Sequence, residues 1–151
     1  MTYDASSYKE YIVRVYPDTI KWYIQDYAGH IMLHREDGPA VEYKNGDYEY
    51  FRKELLHNDK GPARCITKIT VNGKKQVVFQ HFVNGKLHNE HGPSVYGDGV
   101  PDEYYLKGKH YKYQYLYETD LASLKEEKVC EDKIITIDGQ DFKLVPIRSK
   151  K

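Results

Sequence analysis

The sequence predicts a mainly β protein in which stacked antiparallel β-hairpin repeats form an elongated sheet, closed by a short C-terminal helix and a final hairpin. Three observations predict it. A Leu-His-x-x-x-Gly-Pro-Ala/Ser motif recurs at Leu33–Ala40, Leu56–Ala63 and Leu87–Ser94, the first two copies about 23 residues apart and the next about 31. Periodicity of this size is the mark of stacked supersecondary units. The segments between copies alternate in polarity around Asn-Gly pairs, the turn chemistry that joins paired strands. Tyrosine is over-used, 16 against 4 Phe and 1 Trp, which suits a half-buried pleated surface where a ring packs and its hydroxyl reaches water.

In chain order, Tyr11–Tyr16 reads as a strand ended by Pro17-Asp18, and Ile20–Ile24 with Gly29 as a strand and turn before Leu33. Pro39–Tyr43 faces Asp47–Phe51 across Asn45-Gly46. The longer interval is an extended hairpin around Asn72-Gly73, with Cys65, Thr67, Ile69 and Val71 on one face of its first strand and Gln76–Val83 as its second. A second register precedes each motif: Tyr50–His57, His81–His88 and Tyr104–Tyr111 align, the last without a Gly-Pro, as a capping unit would be. From Tyr113 to Lys128 the pattern is helical, with Leu116, Tyr117, Leu121 and Leu124 on one face and Thr119 or Asp120 as a candidate cap. Tyr111, Tyr113, Tyr115 and Tyr117 recur at period two, which places a strand through about Tyr115 before the helix. Ile134–Ile137 and Phe142–Val145 then form a hairpin around Asp138-Gly139. The expected organisation over residues 1–151 is one domain: an N-terminal strand in 1–19, repeats in 20–111, a helix region in 112–130, a hairpin in 131–147 and a tail at 148–151.

Lys+Arg and Asp+Glu both number 23, so the chain has no formal net charge. That balance counts against sequence-independent nucleic-acid binding, which relies on a cationic surface. The 2 cysteines, Cys65 and Cys130, stand in no metal or redox spacing, which points to a reducing compartment. The start carries no basic, apolar leader pattern, and no apolar run reaches the length of a membrane span. A cytoplasmic protein with no membrane partner is expected.

The motifs Gly85–Ser94 and Leu33–Ala40 resemble a variant of MORN-type repeats common in proteins of bacteriophages and large DNA viruses. The resemblance covers about residues 20–111. It implies stacked short hairpins, a binding scaffold without a defined activity, and a viral source, in which case the chain acts in the host cytoplasm.

His34, His57 and His88 recur with the repeat, so each is expected to satisfy backbone groups at its turn. Gly38-Pro39, Gly61-Pro62 and Gly92-Pro93 are expected to supply turn chemistry, glycine by unusual dihedrals and proline by its fixed φ. No phosphate loop, Gly-x-Ser-x-Gly elbow or Cys-x-x-Cys occurs, so no enzyme, catalytic residue, metal or cofactor is expected. The leading functional reading is a non-enzymatic, host-directed inhibitor that binds a host protein through a tyrosine-rich sheet face, with Tyr48, Tyr50, Tyr104 and Tyr105 as contact residues. Two alternatives come from other classes. One is a nucleotide-sequestering protein using Arg35, Arg52, Arg64 and Lys86 beside tyrosine. The other is a divergent metal-dependent enzyme built on His88, Glu90 and His91, with Asp37 and Asp59 as further ligand types.

Overall fold

The structure, a computed structural model, describes residues 10–131, 134–137 and 140–143. The chain divides into two compact units, Met1–His110 and Tyr111–Lys151. In the first, β1 (Ile12–Tyr16), β2 (Thr19–Gln25), β4 (Val41–Tyr43), β5 (Tyr48–Glu49), β8 (Arg64–Ile69), β9 (Lys75–Gln80), β12 (Val95–Gly97) and β13 (Val100–Leu106) follow one another across an antiparallel sheet that ends on β14 (Lys109–Tyr111), and β3 (Ile31–Leu33) also pairs with β2. Two-stranded hairpins β6 (Phe51–Arg52) with β7 (Leu55–Leu56), and β10 (Phe82–Val83) with β11 (Lys86–Leu87), stand off this path.

These short hairpins make a second column beside the main sheet. The chain changes column at Tyr50 and His81, which open the first two of the second registers, and Trp22 within β2 makes the same pair of contacts. Trp22, Tyr50 and His81 donate their N–H to Ala40, Ala63 and Ser94 at 2.8, 2.7 and 2.7 Å, and their carbonyls accept from His34, His57 and His88 at 3.1, 3.0 and 3.1 Å. The expected strand Asp47–Phe51 therefore stops pairing at Glu49, and Phe51 starts the second column. Successive hairpins of that column are tied by Glu54, Gly85 and Gly108 N–H groups donating to Leu33, Leu56 and Leu87 at 2.9 Å each. Three equivalent bonds at three repeats are the structural counterpart of the sequence period.

The core is thin. Val41, Val78 and Val95 are buried on one face of the main sheet, while Ala40, Ala63 and Ser94 after each proline have no exposed surface. The third copy places Ser where the others have Ala because its hydroxyl is satisfied: Ser94 Oγ donates to Tyr105 O at 3.0 Å and accepts from Tyr105 N at 3.2 Å. Gly97 is fixed by crowding, since a Cβ there would lie 2.0 Å from Val77 O, at the irregularity where β12 shifts register against β13.

In the second unit, α1 (Gln114–Glu131) starts earlier than the tyrosine alternation implies. Tyr113 is half exposed, and Tyr115 lies inside the helix, where Thr119 Oγ1 donates back to its carbonyl at 2.9 Å; Thr119 is thus an interior residue and no cap. Tyr111 and Tyr117 are buried edge to face with ring centroids 5.9 Å apart, and Tyr111 Oη donates to Asp120 at 2.8 Å, so their six-residue spacing serves a strand-to-helix packing contact. The final hairpin pairs β15 (Ile134–Ile137) with β16 (Gln140–Lys143), two residues earlier than the expected Phe142–Val145; Leu144, Val145 and the tail lie outside the described residues. Among the described residues no helix is long and apolar enough to cross a membrane.

Candidate functional site: a loop-walled aromatic shelf

The three motif loops form a wall, and the imidazoles lock it. Nδ1 of His34, His57 and His88 accepts the backbone N–H of Lys53, Asn84 and Lys107 at 3.2, 3.1 and 3.1 Å. Those donors sit at φ values of 50, 50 and 51°, in the tight turns of the following hairpins. Left-handed turns turn one N–H away from the ladder, and the preceding repeat's imidazole satisfies it. An accepting Nδ1 puts the proton of the neutral ring on Nε2. That nitrogen faces the acid two residues on: Glu36 at 3.4 Å, Asp59 at 3.1 Å and Glu90 at 3.4 Å. The His57 N–H is poorly aligned with its carboxylate despite the short separation, so that contact is mainly electrostatic. His57 and then Arg52 hold Asp59 below the usual carboxylate range, against an opposing effect of burial.

The residue after each histidine closes its loop. Asn58 Nδ2 and Asn89 Nδ2 donate to Pro62 O and Pro93 O at 3.1 and 2.8 Å, while their Oδ1 atoms accept from Lys60 and His91 N–H at 3.0 Å each. In the first copy Arg35 Nη1 makes the equivalent bond to Pro39 O at 3.3 Å. The Arg35 guanidinium also lies 4.1 Å over the Trp22 ring and pairs with Asp37 and Glu42 at 3.0 and 2.7 Å. The dihedral role expected for the motif glycines fails at Gly38 and Gly61, neither of which has positive φ. At Gly38 the cause is space: a Cβ would come within 2.9 Å of the Arg35 guanidinium carbon.

The sheet face beside this wall carries a continuous cross-strand row. Ile20, Glu42, Tyr48, Cys65, Phe79 and Tyr96 are paired successively across six strands, so they point to one face. Phe79 and Tyr96 stack at 5.4 Å, His81 leans on Tyr96 at 5.8 Å, and Tyr48 meets Tyr50 edge on at 5.7 Å. All five rings are half-buried. Wall and row enclose two concavities. One, of about 670 Å³, lies between the second and third loops and is lined by Lys60, His81, Glu90, His91 and Tyr96 among others. The other, of about 430 Å³, lies between the first and second loops and holds Tyr48, Tyr50, Arg52 and Asp59.

Burial, with help from His91, pushes His81 below the ordinary imidazole range. Burial likewise raises the Tyr48 phenol and the Cys65 thiol, so a neutral thiol sits under the shelf. Among the described residues no group of His, Cys, Asp and Glu is arranged to hold a metal ion; His88 and Glu90 face each other, with His88 Nδ1 occupied by Lys107.

Of the four expected contact tyrosines, the structure brings Tyr48 and Tyr50 together in the smaller concavity. Tyr104 and Tyr105 are consecutive on β13 and so point to opposite faces; Tyr105 packs on His110 at 4.7 Å and donates to Glu103 at 2.9 Å. Sequence reasoning missed Phe79, His81 and Tyr96. Pairing the two Asn-Gly hairpins in register would have placed Tyr48 and Phe79 on one face with Cys65 between them.

No family model matches the chain, and neither a curated protein nor a solved structure matches it.

Proposed function

We propose that this chain is a non-enzymatic binding protein that engages a protein partner on the loop-walled aromatic shelf. The row Tyr48–Phe79–Tyr96 beside the two concavities carries this reading. Half-buried rings offer contact area at low rotamer cost, and a polar rim around them is the anatomy of a protein interface. The wall's polar groups favour recognition over catalysis, because each motif imidazole has one nitrogen on a backbone N–H and the other against a carboxylate. The resemblance to repeats of bacteriophage proteins supports the finer statement that the partner is a host protein, inhibited in the host cytoplasm.

Nucleotide sequestration has less support. Arg35 and Arg52 are paired to carboxylates, and Arg64 pairs with Glu49 at 2.8 Å on the opposite face of the sheet.

The test is capture from bacterial host lysates with the wild-type chain and with Tyr96→Ser and Tyr48→Ser variants that retain the wild-type circular dichroism. A stoichiometric protein retained by the wild type and lost by the variants supports the proposal. No such protein from several hosts, together with a thermal shift by a nucleotide, would replace it with the sequestration reading.

A further inference from the structure

The interval between the second and third motifs is about eight residues longer than the first, and the scaffold engages only the base of the excess, where Thr67 donates to Asp47 and Gln76 donates to Gly99 O. It lengthens the β8–β9 hairpin past its neighbours. β5 pairs with β8 at Arg64 and Cys65, and β12 pairs with β9 from Val78 to Gln80. The rungs Thr67↔Val77, Lys68↔Gln76 and Ile69↔Lys75 therefore have no strand on either side among the described residues; turns flank the inner two, with Asp98 N–H donating to Val77 O at 3.3 Å and Gln76 Nε2 to Gly99 O at 3.2 Å. The apex is well formed nonetheless: Thr70 N donates to Lys74 O and Gly73 N to Thr70 O, both at 2.9 Å, and Thr70 Oγ1 accepts from Lys74 N at 3.0 Å.

What this finger displays is unusual for a projecting turn. Val71 at its apex is fully exposed and Ile69 is 68% exposed. Behind them stand Lys68 on one face, Lys75 on the other and Lys74 in the turn, none within ion-pair distance of a carboxylate among the described residues. Between Asp59 and Glu90 the sequence contains no acid at all, but carries Lys60, Arg64, Lys68, Lys74, Lys75 and Lys86, in a chain whose total charge is zero. A hairpin tip with no role of its own would carry only polar residues, since lysines alone suffice to block edge pairing.

We infer that the apex of the β8–β9 hairpin is a peripheral contact for an anionic lipid surface, Ile69 and Val71 entering the headgroup boundary and Lys68, Lys74 and Lys75 meeting the lipid charge. The cations lie on both faces and form a collar; a protein partner docked on one face would use half of it. Aliphatic tips offer no ring to stack on bases, which disfavours a nucleic acid. The expectation of no membrane partner rested on the lack of a spanning segment, and a contact of this kind needs none. The finger lies outside the concavities, so this inference does not depend on the proposed protein partner.

The full chain is to be sedimented with vesicles of phosphatidylcholine alone and of phosphatidylcholine mixed with phosphatidylglycerol. It should partition onto the mixed vesicles, less so as salt is raised. Neutralising Lys68, Lys74 and Lys75 to Gln should lower partitioning by about fivefold per lysine, roughly a hundredfold together. Ile69→Ser with Val71→Ser should lower it as well, with the unfolding midpoint unchanged because both side chains are exposed. Failure to bind either vesicle, equal binding to both, or binding indifferent to these substitutions would overturn the inference. So would a chain that ignores vesicles yet is retained on poly-glutamate through the three lysines, which would move the apex to an acidic protein.

Discussion

Replacing His57 isolates what the repeated imidazoles contribute. Its side chain is 5% exposed, and Nδ1 accepts the Asn84 N–H at 3.1 Å in a part-buried turn. Asn can place Oδ1 where Nδ1 stood, whereas Gln places its oxygen near Nε2 and leaves the Asn84 donor orphaned. An orphaned buried donor costs about 1–3 kcal/mol; the half-exposed setting of the turn argues for roughly 1.5 kcal/mol of that range. The Asp59 contact adds little, since that carboxylate is 59% exposed and its charge is screened. His57→Gln should therefore destabilise by roughly 1.5 kcal/mol more than His57→Asn, although both lose ring packing. With a urea slope of about 2 kcal/mol per molar, the two midpoints should differ by roughly 0.7 M. Trp22, the 1 tryptophan of the chain, lies in the same unit and reports the transition by fluorescence. Equal midpoints for the two variants, or a more stable Gln variant, would show that the imidazoles fill space and that the Nδ1 bond contributes nothing.

Gly97→Ala drives a methyl into Val77 O, which is backbone and cannot step aside; a loss of about 3 kcal/mol, at the upper end for overpacking, should appear as a lowered thermal midpoint. Asn89→Ala removes the donor to Pro93 O and the acceptor for His91 N–H, for a loss of about 1–2 kcal/mol by urea titration. Acidification should also destabilise the chain through His81. Its folded pKa lies below the unfolded value of about 6.5, so the unfolded state binds more protons in that window. The contribution is fully present above about pH 6.5 and is lost as pH falls through the folded value, and His81→Phe should flatten the thermal midpoint between neutral and mildly acidic pH.

Much of the fold was legible because the repeat is local. Each Asn-Gly pair fixes a hairpin within a few residues, and the His-Gly-Pro spacing fixes a loop. The division into two columns was not legible, because it depends on Tyr50 and His81 exchanging hydrogen bonds with Ala63 and Ser94 across loops of variable length. The turn at Lys53-Glu54 was also hidden. Glu54 has φ 68°, where glycine is usual, and its carboxylate accepts the Leu33 N–H at 2.6 Å, a long-range contact that propensity cannot anticipate. At the C-terminal end, Tyr111, Tyr113, Tyr115 and Tyr117 alternate as strand residues do, but burial of Tyr111 against Tyr117 decided the outcome in favour of an early helix. The histidine role was readable in kind from its recurrence, while the choice of nitrogen required coordinates. The shelf was half readable: Tyr48 and Tyr50 share a strand, but Phe79 and Tyr96 join them through register alone.

If the proposed protein partner docks on the shelf, the division between what recurs and what does not places its specificity. Histidine, the acid two residues on, and the Arg or Asn between them are used up in holding each loop against the next. They cannot distinguish one partner from another without breaking the wall. The residue three after each histidine varies instead: it is Asp37, held by Arg35 at 3.0 Å, then Lys60, then His91, all exposed on the loops that bound the concavities. Charge at that position changes sign from the first loop to the second, and the third carries an imidazole. The rings behind it are equally unequal, Tyr48 and Tyr50 in one concavity, His81 and Tyr96 in the other. A uniform ligand would be matched by uniform steps. Steps that differ in charge and ring type while sharing one backbone fit a partner whose surface changes along the groove, and a folded protein has such a surface.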